Sequence, residues 1–320
     1  MPPVDLNTLP LPALFEELAT LGRLGRFLEL VREEDLGPDG LDVTSLLAVG
    51  ASEQLRAEVR VREAGVVAGL ATLEPIVEAF GADVGVELHT ADGEHVERGR
   101  SVAVIEGSAR DVLAVERPML NLLGRLSGVA TRTAAFVEAM GEGWPAKLFD
   151  TRKTTPGLRH LEKYAVRCGG GCCHRLGLHD AVLVKDNHIA AMGSGSWAER
   201  VGTMAAAARA RFGEHLRFIE VEVDGLAQFE RLLALDMGRP AVGVPAVGVI
   251  DVVLLDNMPV ADMRQAVTMR DAQQPALQLE ASGGVTLETV RDVASSGVDR
   301  ISVGSLTHHA VSLDFGLDAV

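Results

Sequence analysis

The spacing of hydrophobic and polar positions divides the chain into regions of different predicted structure. Residues 11–34 carry apolar side chains at helical spacing, which predicts one or two amphipathic helices ending before the Gly-Pro-Asp-Gly turn at 37–40. Residues 55–106 alternate instead, as in LRAEVRVRE and RSVAVIEG, a pattern typical of strands with one buried face. We therefore predict a small α/β domain with an antiparallel sheet, followed by a helix from about 111 to 140.

Beyond residue 140, short apolar runs alternate with helical segments. The runs KLFDTR, AVLVKDN, RFIEVEVD, VVLLDN, LQLEASGG and RISVGS are each followed by polar residues or glycine. Repeated strand–helix units predict a parallel α/β barrel or an open parallel sheet. In a barrel of this kind the residues that carry chemistry lie at the carboxyl ends of the strands. The segment 241–249, AVGVPAVGV, resembles a small duplicated insertion, and we assign it no function.

Composition excludes several classes of protein. Hydrophobic residues make up 47% of the 320 residues, enough for a sizeable core, and the net charge of −15 disfavours nucleic acid or an anionic membrane as a partner. No apolar run reaches the roughly 18 residues of a membrane span, and the N-terminus lacks the basic region of a secretory signal. All three cysteines fall within 168–173, which argues against a disulfide framework. We therefore expect a cytoplasmic protein.

Positive charge is concentrated in one segment of this acidic chain. Residues 147–185 contain eight basic and three acidic side chains, a net charge of +5. The segment also holds all four lysines of the chain, since every other basic residue is arginine. A compact ammonium group binds anions differently from a guanidinium, so this distribution favours an anion-binding role, although compositional drift towards arginine is the alternative. The lysines are Lys147, Lys153, Lys163 and Lys185, of which we expect Lys147 to lie on the surface.

The predicted strand ends bring cations, carboxylates and glycine-rich turns to one face of the barrel. Cations and backbone amides suit phosphates and carboxylates, whereas neighbouring carboxylates suit a divalent metal or sugar hydroxyls. This combination indicates an enzyme that acts on a phosphorylated, polyanionic substrate with Mg²⁺. The groups concerned lie at 150–153 (Asp-Thr-Arg-Lys), 185–188 (Lys-Asp-Asn-His), 220–224, 256–257, 280–284 and 303–305.

Several of these motifs resemble the quinolinate phosphoribosyltransferase family. The most extensive match is DTRKTTPGLRHLEKYAVRCGGGCCHRLGLHDAVLVKDNHI at 150–189. Further matches, in the family's order, are EDLGPDGLDVTS (34–45), ERPMLNLLGRLSGVATRT (116–133), EVEVDG (220–225), LLDNM (254–258), LEASGGV (279–285) and GVDRISVGSLTHHA (297–310). Each short match is weak alone, but their order and joint coverage make the resemblance specific.

The resemblance implies an N-terminal α/β sandwich domain and an irregular α/β barrel with fewer than eight strands. We place the first domain at 1–128, joined by 305–320, and the barrel at 129–304. The family also implies a homodimer in which each barrel site is completed by the partner's N-terminal domain. The implied reaction joins quinolinate to phosphoribosyl pyrophosphate and releases nicotinate mononucleotide, pyrophosphate and CO₂, a step of NAD biosynthesis.

The same resemblance assigns residues to the acceptor, quinolinate. Arg117 matches an arginine that the partner subunit contributes across the dimer interface. The basic pocket for the quinolinate carboxylates corresponds to Arg152, His174, Arg175 and Lys185, with Thr151 in the same motif as Arg152. Position 173 departs from the family, because Cys173 stands where asparagine is usual, and a thiol is only a weak donor and acceptor.

A second group matches the residues that bind the phosphoribosyl donor. Lys153 corresponds to a lysine directed at the pyrophosphate, and Glu222 and Asp256 correspond to carboxylates that hold the ribose hydroxyls and Mg²⁺. His308 matches a histidine close to the donor. The 5′-phosphate turns correspond to Ser282, Gly283 and Gly284 with Val303, Gly304 and Ser305. The implied catalytic residues are Lys153, Lys185, Glu222 and Asp256.

Alternative interpretations remain open from sequence. The chain could be a related phosphoribosyltransferase for another heterocycle, or a non-catalytic barrel that binds a metabolite. Arg159, Lys163 and Arg167 follow one another at helical spacing and form either a solvent-facing helix surface or an outer part of the anion site. The cysteine cluster at 168–173 lacks the second pair that a structural zinc site requires, so we expect no zinc.

Overall fold

The computed structural model describes residues 4–193, 196–235 and 250–320, so the insertion predicted at 241–249 lies outside the described residues. The chain forms two compact units. The sandwich unit contains residues 7–134, 153–171 and 305–320. The barrel unit contains residues 135–152, the described part of 172–304 and the N-terminal residues up to Leu6.

The helices and strands follow the predicted change from an α/β segment to strand–helix repeats. The described helices are α1 Leu11–Gly22, α2 Leu24–Leu36, α3 Val43–Ala48, α4 Leu73–Phe80, α5 Ala109–Met140, α6 Arg159–Cys168, α7 Asp186–Ala191, α8 Trp197–Phe212, α9 Leu226–Leu233, α10 Val260–Gln273, α11 Val290–Ala294 and α12 Ser305–His308. The described strands are β1 Gln54–Val61, β2 Gly65–Val66, β3 Val84–Leu88, β4 His95–Val96, β5 Ser101–Ser108, β6 Lys147–Phe149, β7 Val182–Val184, β8 Ile219–Val223, β9 Val252–Asp256, β10 Gln278–Ser282, β11 Arg300–Ser302 and β12 Phe315–Ala319. Among the described residues, no helix is long and apolar enough to cross a membrane.

An antiparallel sheet forms the centre of the sandwich unit, with strand order β12-β1-β5-β3. The alternating pattern of β1 places Val59 and Val61 in the core while Arg60 between them remains partly exposed. Strand β12 pairs with β1, with Ala319 opposite Ala57, so the segment after the last barrel strand returns to this sheet. The predicted N-terminal helix is two helices, since Arg23 has a left-handed φ of 55° between α1 and α2.

The barrel unit contains a parallel sheet with strand order β6-β11-β10-β9-β8-β7 among the described residues. Each strand from β7 to β10 pairs with the next in sequence, and β11 pairs with β6, the first strand of this sheet. This order is that of a barrel opened between β6 and β7, where Phe149 makes an isolated parallel bridge to Cys172. Strand β8 is buried along its whole length, including Glu220 and Glu222, and β9 is apolar and buried up to Asp256 at its end, as expected for a parallel sheet covered on both faces. The predicted fold class, an α/β sandwich domain with an incomplete barrel, is confirmed.

Candidate active site

Acidic and small polar residues meet at the carboxyl edge of the parallel sheet. Glu222 lies one residue before the end of β8, and Asp256 ends the neighbouring strand β9. Ser282 ends β10 and lies opposite Asp256 in the register of the two strands. Because parallel strands present their carboxyl ends at one edge, three residues that are distant in sequence are neighbours here. Their oxygen atoms suit sugar hydroxyls or a hard cation such as Mg²⁺.

A lysine from the next strand reaches this edge. Lys185 follows β7, and its Nζ forms an ion pair with the Glu222 carboxylate, which is 8% exposed whereas the Lys185 side chain is 44% exposed. The position of Lys185 is fixed locally, because its backbone N–H donates to Nδ1 of His188 at 2.9 Å as α7 begins. His188 therefore lies in the first turn of α7, where its ring caps the Lys185 backbone. We name the Lys185–Glu222 contact the rim pair.

The turn after β10 requires glycine for two separate reasons. Gly283 and Gly284 have φ values of 90° and 62°, in the left-handed region that favours glycine. In addition, a Cβ on Gly283 would lie 2.2 Å from Oδ1 of Asn257, closer than real contacts allow. The turn is exposed, so its backbone amides are accessible to an anion such as a phosphate. Val303 and Gly304 follow β11, and the N–H of Val303 donates to the Phe149 carbonyl at 3.0 Å.

Four ionisable side chains form a buried cluster in the interior of the barrel unit. Nε2 of His174 lies 3.2 Å from a carboxylate oxygen of Glu220 and 3.3 Å from one of Glu280. Nε of Arg300 lies 2.9 Å from the same Glu280 oxygen. None of the four is more than 7% exposed. We name His174, Glu220, Glu280 and Arg300 the buried charge cluster.

Two aromatic rings flank the cations of this cluster. The guanidinium carbon of Arg300 lies 4.2 Å from the ring centre of Phe149 and 4.8 Å from that of Phe218. The His174 ring meets Phe218 edge to face at 5.0 Å and Phe149 at 6.2 Å. Aromatic faces attract cations, so the rings favour positive charge on both groups. The rings also exclude water, which strengthens every charge interaction inside the cluster.

Burial and charge shift the pKa values of the cluster in opposite directions. Burial alone lowers the pKa of His174, but the carboxylates of Glu280 and Glu220 outweigh it and raise the pKa to about 9. Burial by itself raises the pKa of Glu280, but the charges of His174 and Arg300 outweigh it and lower this pKa to about 2. For Glu220, burial and the neighbouring Glu280 charge raise the pKa. His174 is therefore a cation at neutral pH, and Glu280 is its anionic partner.

The segment that carries His174 is held by buried aspartates. The backbone N–H of His174 donates to Asp150 at 2.8 Å, directly beyond the end of β6. Asp180 accepts from the N–H groups of Leu176 and Gly177 at 2.8 and 2.9 Å, and it pairs with Arg217 at 3.0 Å. The barrel unit thus fixes the backbone on both sides of the predicted acceptor residues. Thr151 and Arg152 follow Asp150 and are partly exposed, whereas Cys173 and Arg175 are buried.

The sandwich unit contains the other predicted site residues. Arg117 lies on α5 with 64% of its side chain exposed, and it lines a cavity of about 250 Å³ with Asn121 and Asp314. Ser305 begins α12, and its carbonyl accepts from Nε of Arg132 at 2.6 Å. Lys153 and His308 are exposed. The carbonyl of Lys153 accepts from the Thr307 hydroxyl at 2.6 Å, and the His308 ring packs on that of His309 with centroids 4.2 Å apart.

The helix α6 is more buried than a solvent-facing surface would be. Lys163 is fully buried, so the solvent-facing interpretation is wrong for this residue. Beside it, Glu162 is also fully buried, and Arg125 approaches it at 2.7 Å. Glu162 further accepts from the backbone N–H of Thr155 at 3.0 Å, which ties α6 to the loop that follows Lys153. Lys147 is exposed, as the sequence predicts.

Sequence reasoning missed the buried charge cluster as a unit. Glu220 and Glu280 were grouped with the strand-end residues but received no role, and Arg300 was not considered. One signal was available, because Arg300 is a charged residue at the start of an otherwise apolar strand, and such residues are seldom buried without a partner. The partner itself could not be read from sequence, since it depends on which strands are neighbours.

A parallel sheet whose carboxyl edge gathers cations, carboxylates and glycine turns is the active-site architecture of an α/β barrel enzyme. The chain matches the family model described as the quinolinate phosphoribosyl transferase N-terminal domain over residues 42–127, and the C-terminal domain over residues 129–318. These matches cover most of the sequence, so the chain belongs to the quinolinate phosphoribosyl transferase family. The resemblance stated from its motifs is thereby confirmed.

Individual relatives agree with this assignment over nearly their full length. The nicotinate-nucleotide pyrophosphorylase [carboxylating] of Mycobacterium leprae is 43% identical over 281 residues, covering 87% of this chain and 91% of its own. The probable enzyme of the same name from Bacillus subtilis is 38% identical, with 89% of each chain covered. Among solved structures, NadC from Streptococcus pyogenes superposes with a TM-score of 0.78 at 37% identity, covering 93% of this chain and 97% of that one.

Proposed function

We propose that this protein transfers the phosphoribosyl group of phosphoribosyl pyrophosphate to quinolinate and decarboxylates the product. The carboxyl edge of the parallel sheet carries this proposal, because it combines Lys185, Glu222 and Asp256 with the Gly283–Gly284 turn. Such a set provides a cation for a carboxylate, oxygens for ribose, and backbone amides for a phosphate. The products are nicotinate mononucleotide, pyrophosphate and CO₂, as in NAD biosynthesis.

The chemistry proceeds in two stages that need charge rather than a covalent nucleophile. The bond from ribose C1′ to pyrophosphate breaks with its electron pair on the pyrophosphate, and the quinolinate nitrogen forms the new bond to C1′. The carboxylates of Glu222 and Asp256 stabilise the positive charge that develops on the ribose, while Lys153 accompanies the leaving pyrophosphate. The pyridinium then accepts the electron pair of the breaking carbon–carbon bond. CO₂ departs, and the ring carbon takes up a proton.

The proposed acceptor pocket supplies several cations for two carboxylates. Arg152, His174, Arg175 and Lys185 belong to the barrel unit, and Thr151 stands beside Arg152. The family resemblance implies that the donor phosphate is bound by Ser282, Gly283 and Gly284 with Val303, Gly304 and Ser305, and that His308 is close to the donor. Holding both substrates in reacting geometry accounts for a large part of the expected rate enhancement.

Magnesium fits the donor set at the rim. Glu222 and Asp256 offer hard oxygen atoms at adjacent strand ends, which is the type of ligand Mg²⁺ prefers. When bound, the ion would neutralise charge on the pyrophosphate as it leaves. Glu222 is paired with Lys185, so a substrate carboxylate that takes over the lysine would release Glu222 for the donor side.

We further propose a homodimer in which Arg117 contributes to the partner's acceptor pocket. Arg117 suits such a role because its guanidinium is largely exposed on α5. Exposed apolar side chains in the same unit, including Leu46, Leu47 and Val311, offer surface for the second copy. Sedimentation analysis together with mixing of Arg117→Ala and Lys185→Ala proteins tests this, since exchange of subunits would restore activity only when the site is shared.

The cytoplasm is the proposed location. Within the described residues, Cys168, Cys172 and Cys173 are not joined in disulfides in spite of their proximity in sequence. Cysteines that stay reduced although they are close together are typical of proteins in a reducing compartment. Fractionation of cells that produce the protein, with a periplasmic or organellar marker as control, provides the measurement.

One assay tests the activity. The protein is incubated with Mg²⁺, phosphoribosyl pyrophosphate and either quinolinate or nicotinate, and released CO₂ and mononucleotide are measured together. We expect equal amounts of both products from quinolinate and none from nicotinate. Turnover of nicotinate alone would contradict the proposal and favour a related phosphoribosyltransferase, whereas absence of turnover with either acceptor would favour a metabolite-binding role.

A further inference from the structure

The buried charge cluster lies directly beneath residues assigned to the substrates. Glu220 precedes Glu222 by two residues on β8, and Glu280 precedes Ser282 by two on β10. Side chains two residues apart on a strand lie on the same face, separated by about 7 Å along it. The two carboxylates of the cluster are therefore one step deeper in the barrel unit than the carboxyl edge. They underlie the rim, and His174 is the member of the cluster that is assigned to the acceptor.

Charge balance explains why these groups can be buried together. Two carboxylates and one guanidinium would leave an uncompensated negative charge inside the protein, at a large cost in free energy. A proton on His174 compensates that charge, since its Nε2 lies within 3.3 Å of both Glu220 and Glu280. Arg300 joins the same set of charges through Glu280, and Asp150 accepts from the His174 backbone N–H at 2.8 Å.

The same three residues could in principle bind a metal ion. One donor atom from each of His174, Glu220 and Glu280 lies within 4.8 Å of the others. However, Arg300 already pairs with Glu280 at 2.9 Å, and the apolar rings of Phe149 and Phe218 pack against the same guanidinium. A second, divalent cation beside the guanidinium would be repelled. A proton on His174, rather than a metal ion, therefore balances the charge of the two carboxylates.

We propose that Glu220 and Glu280 are positioning residues for the acceptor site, which hold the His174 ring in one orientation and keep it cationic. This inference rests on the proposed function, because it concerns how His174 meets a carboxylate of quinolinate. The buried carboxylates fix one ring nitrogen, so the ring cannot turn without breaking two charged contacts. An acceptor carboxylate then meets a charge that is already in place and needs no proton uptake on binding.

The decisive variant is Glu280→Gln, which keeps the shape of the side chain and removes its charge. We expect the midpoint of His174 protonation to fall by about one pH unit or more, because its largest favourable charge contact is lost. The KM for quinolinate should rise about tenfold, with the KM for phosphoribosyl pyrophosphate changed less than about twofold. Glu220→Gln should act in the same direction. NMR of labelled histidines, with His174 assigned from its absence in His174→Gln, follows the protonation directly.

A matched control is available on the same pair of strands. Asp299 precedes β11, accepts from the N–H of Leu279 at 2.8 Å and pairs with Arg270 at 2.6 Å, at the opposite end of the strands from the rim. Asp299→Asn should therefore lower stability without shifting His174 protonation or separating the two KM values. If Glu280→Gln and Asp299→Asn gave the same kinetic changes, the positioning role would be contradicted.

The wild-type protein provides a test that does not depend on whether a variant folds. Titration of its His174 resonance should show the ring still protonated at pH 7.5, and a neutral ring at that pH would overturn the inference. If the wild-type protein turned over no quinolinate, calorimetric binding of quinolinate would be measured instead. Lack of both binding and turnover would refute the proposed function and this inference together, whereas turnover with an unchanged quinolinate KM in Glu280→Gln would refute the inference alone.

Discussion

The rim pair and the buried charge cluster both join basic side chains to glutamates, but the rim pair is partly exposed and the cluster is buried. Lys185 at the rim is 44% exposed and has Glu222 as its partner, so water or a substrate can replace the contact. Arg300 in the cluster is 7% exposed and packs against two aromatic rings, so water has little access to its pair with Glu280. In the proposed function Lys185 must bind and release a substrate carboxylate and is left exchangeable, whereas Arg300 supports the site and is enclosed.

The largest expected effect is the loss of stability when a charge of the buried cluster is removed. Arg300→Met would leave Glu280 buried beside an incomplete set of cations, and removal of one partner from a buried ion pair costs about 3–5 kcal/mol. Urea unfolding at pH 7 measures the loss. Arg56→Met is the control, because its pair with Glu106 is exposed and should be worth less than about 1 kcal/mol. Equal losses in the two variants would show that enclosure has no energetic consequence here.

A change at the rim should affect binding more than stability. Lys185→Ala removes a charge-assisted contact, for which we expect the KM for quinolinate to rise about 10- to 100-fold. The KM for phosphoribosyl pyrophosphate should change less than about threefold, because the freed Glu222 remains available to the donor. Initial-rate kinetics with each substrate varied in turn give both values. Equal losses for both substrates would mean that Lys185 does not serve the acceptor in particular.

The dependence of stability on pH should reflect the buried charge cluster. The pKa of His174 is raised from 6.5 to about 9, so its contribution is complete below about pH 6.5 and is lost as pH rises through 9. The pKa of Glu280 is lowered from 4.5 to about 2, so its contribution is lost only as pH falls through 2. Between pH 7 and 9.5 the free energy of unfolding should thus decline in the wild-type protein. His174→Gln should show a smaller decline in parallel urea titrations.

The smallest expected effect concerns the departure from the family at position 173. Cys173→Asn would restore an amide donor and acceptor beside His174, and one such hydrogen bond is worth about 0.5–1.5 kcal/mol. We expect kcat/KM for quinolinate to change by less than about tenfold. Cys173→Ala distinguishes the causes, because an equal change in both variants would show that volume at this buried position matters and hydrogen bonding does not.

Local patterns in the sequence were sufficient to predict the helices and strands and the residues at the rim. Alternation predicts β1 and β5, and each short apolar run after residue 140 is followed by a polar or glycine residue, so Glu222, Asp256 and Ser282 could be assigned to strand ends. Parallel strands then bring those ends together without further information. The glycines at 283 and 284 were likewise readable as a turn.

The buried cluster could not be predicted in the same way. Its members come from three strands and one loop, and their contacts depend on strand register and on which face each side chain occupies, neither of which a local pattern fixes. The sequence also does not show which charged residues are buried together. Glu220 and Glu222 occupy similar positions in the sequence pattern, although Glu220 belongs to the buried charge cluster and Glu222 to the rim pair. The same limit applies to Lys163, whose helical spacing suggested solvent contact although the side chain is fully buried.

The pairing of β12 with β1 has a consequence for how the protein is made. Ala57 lies opposite Ala319, so one edge of β1 can pair with β12 only after the chain has been synthesised as far as β12. Contacts this distant in sequence slow folding, and a strand edge that is still unpaired is a site of aggregation. Until β12 is synthesised, β1 can therefore be paired on its β5 side alone, and its other edge is open to association with other chains.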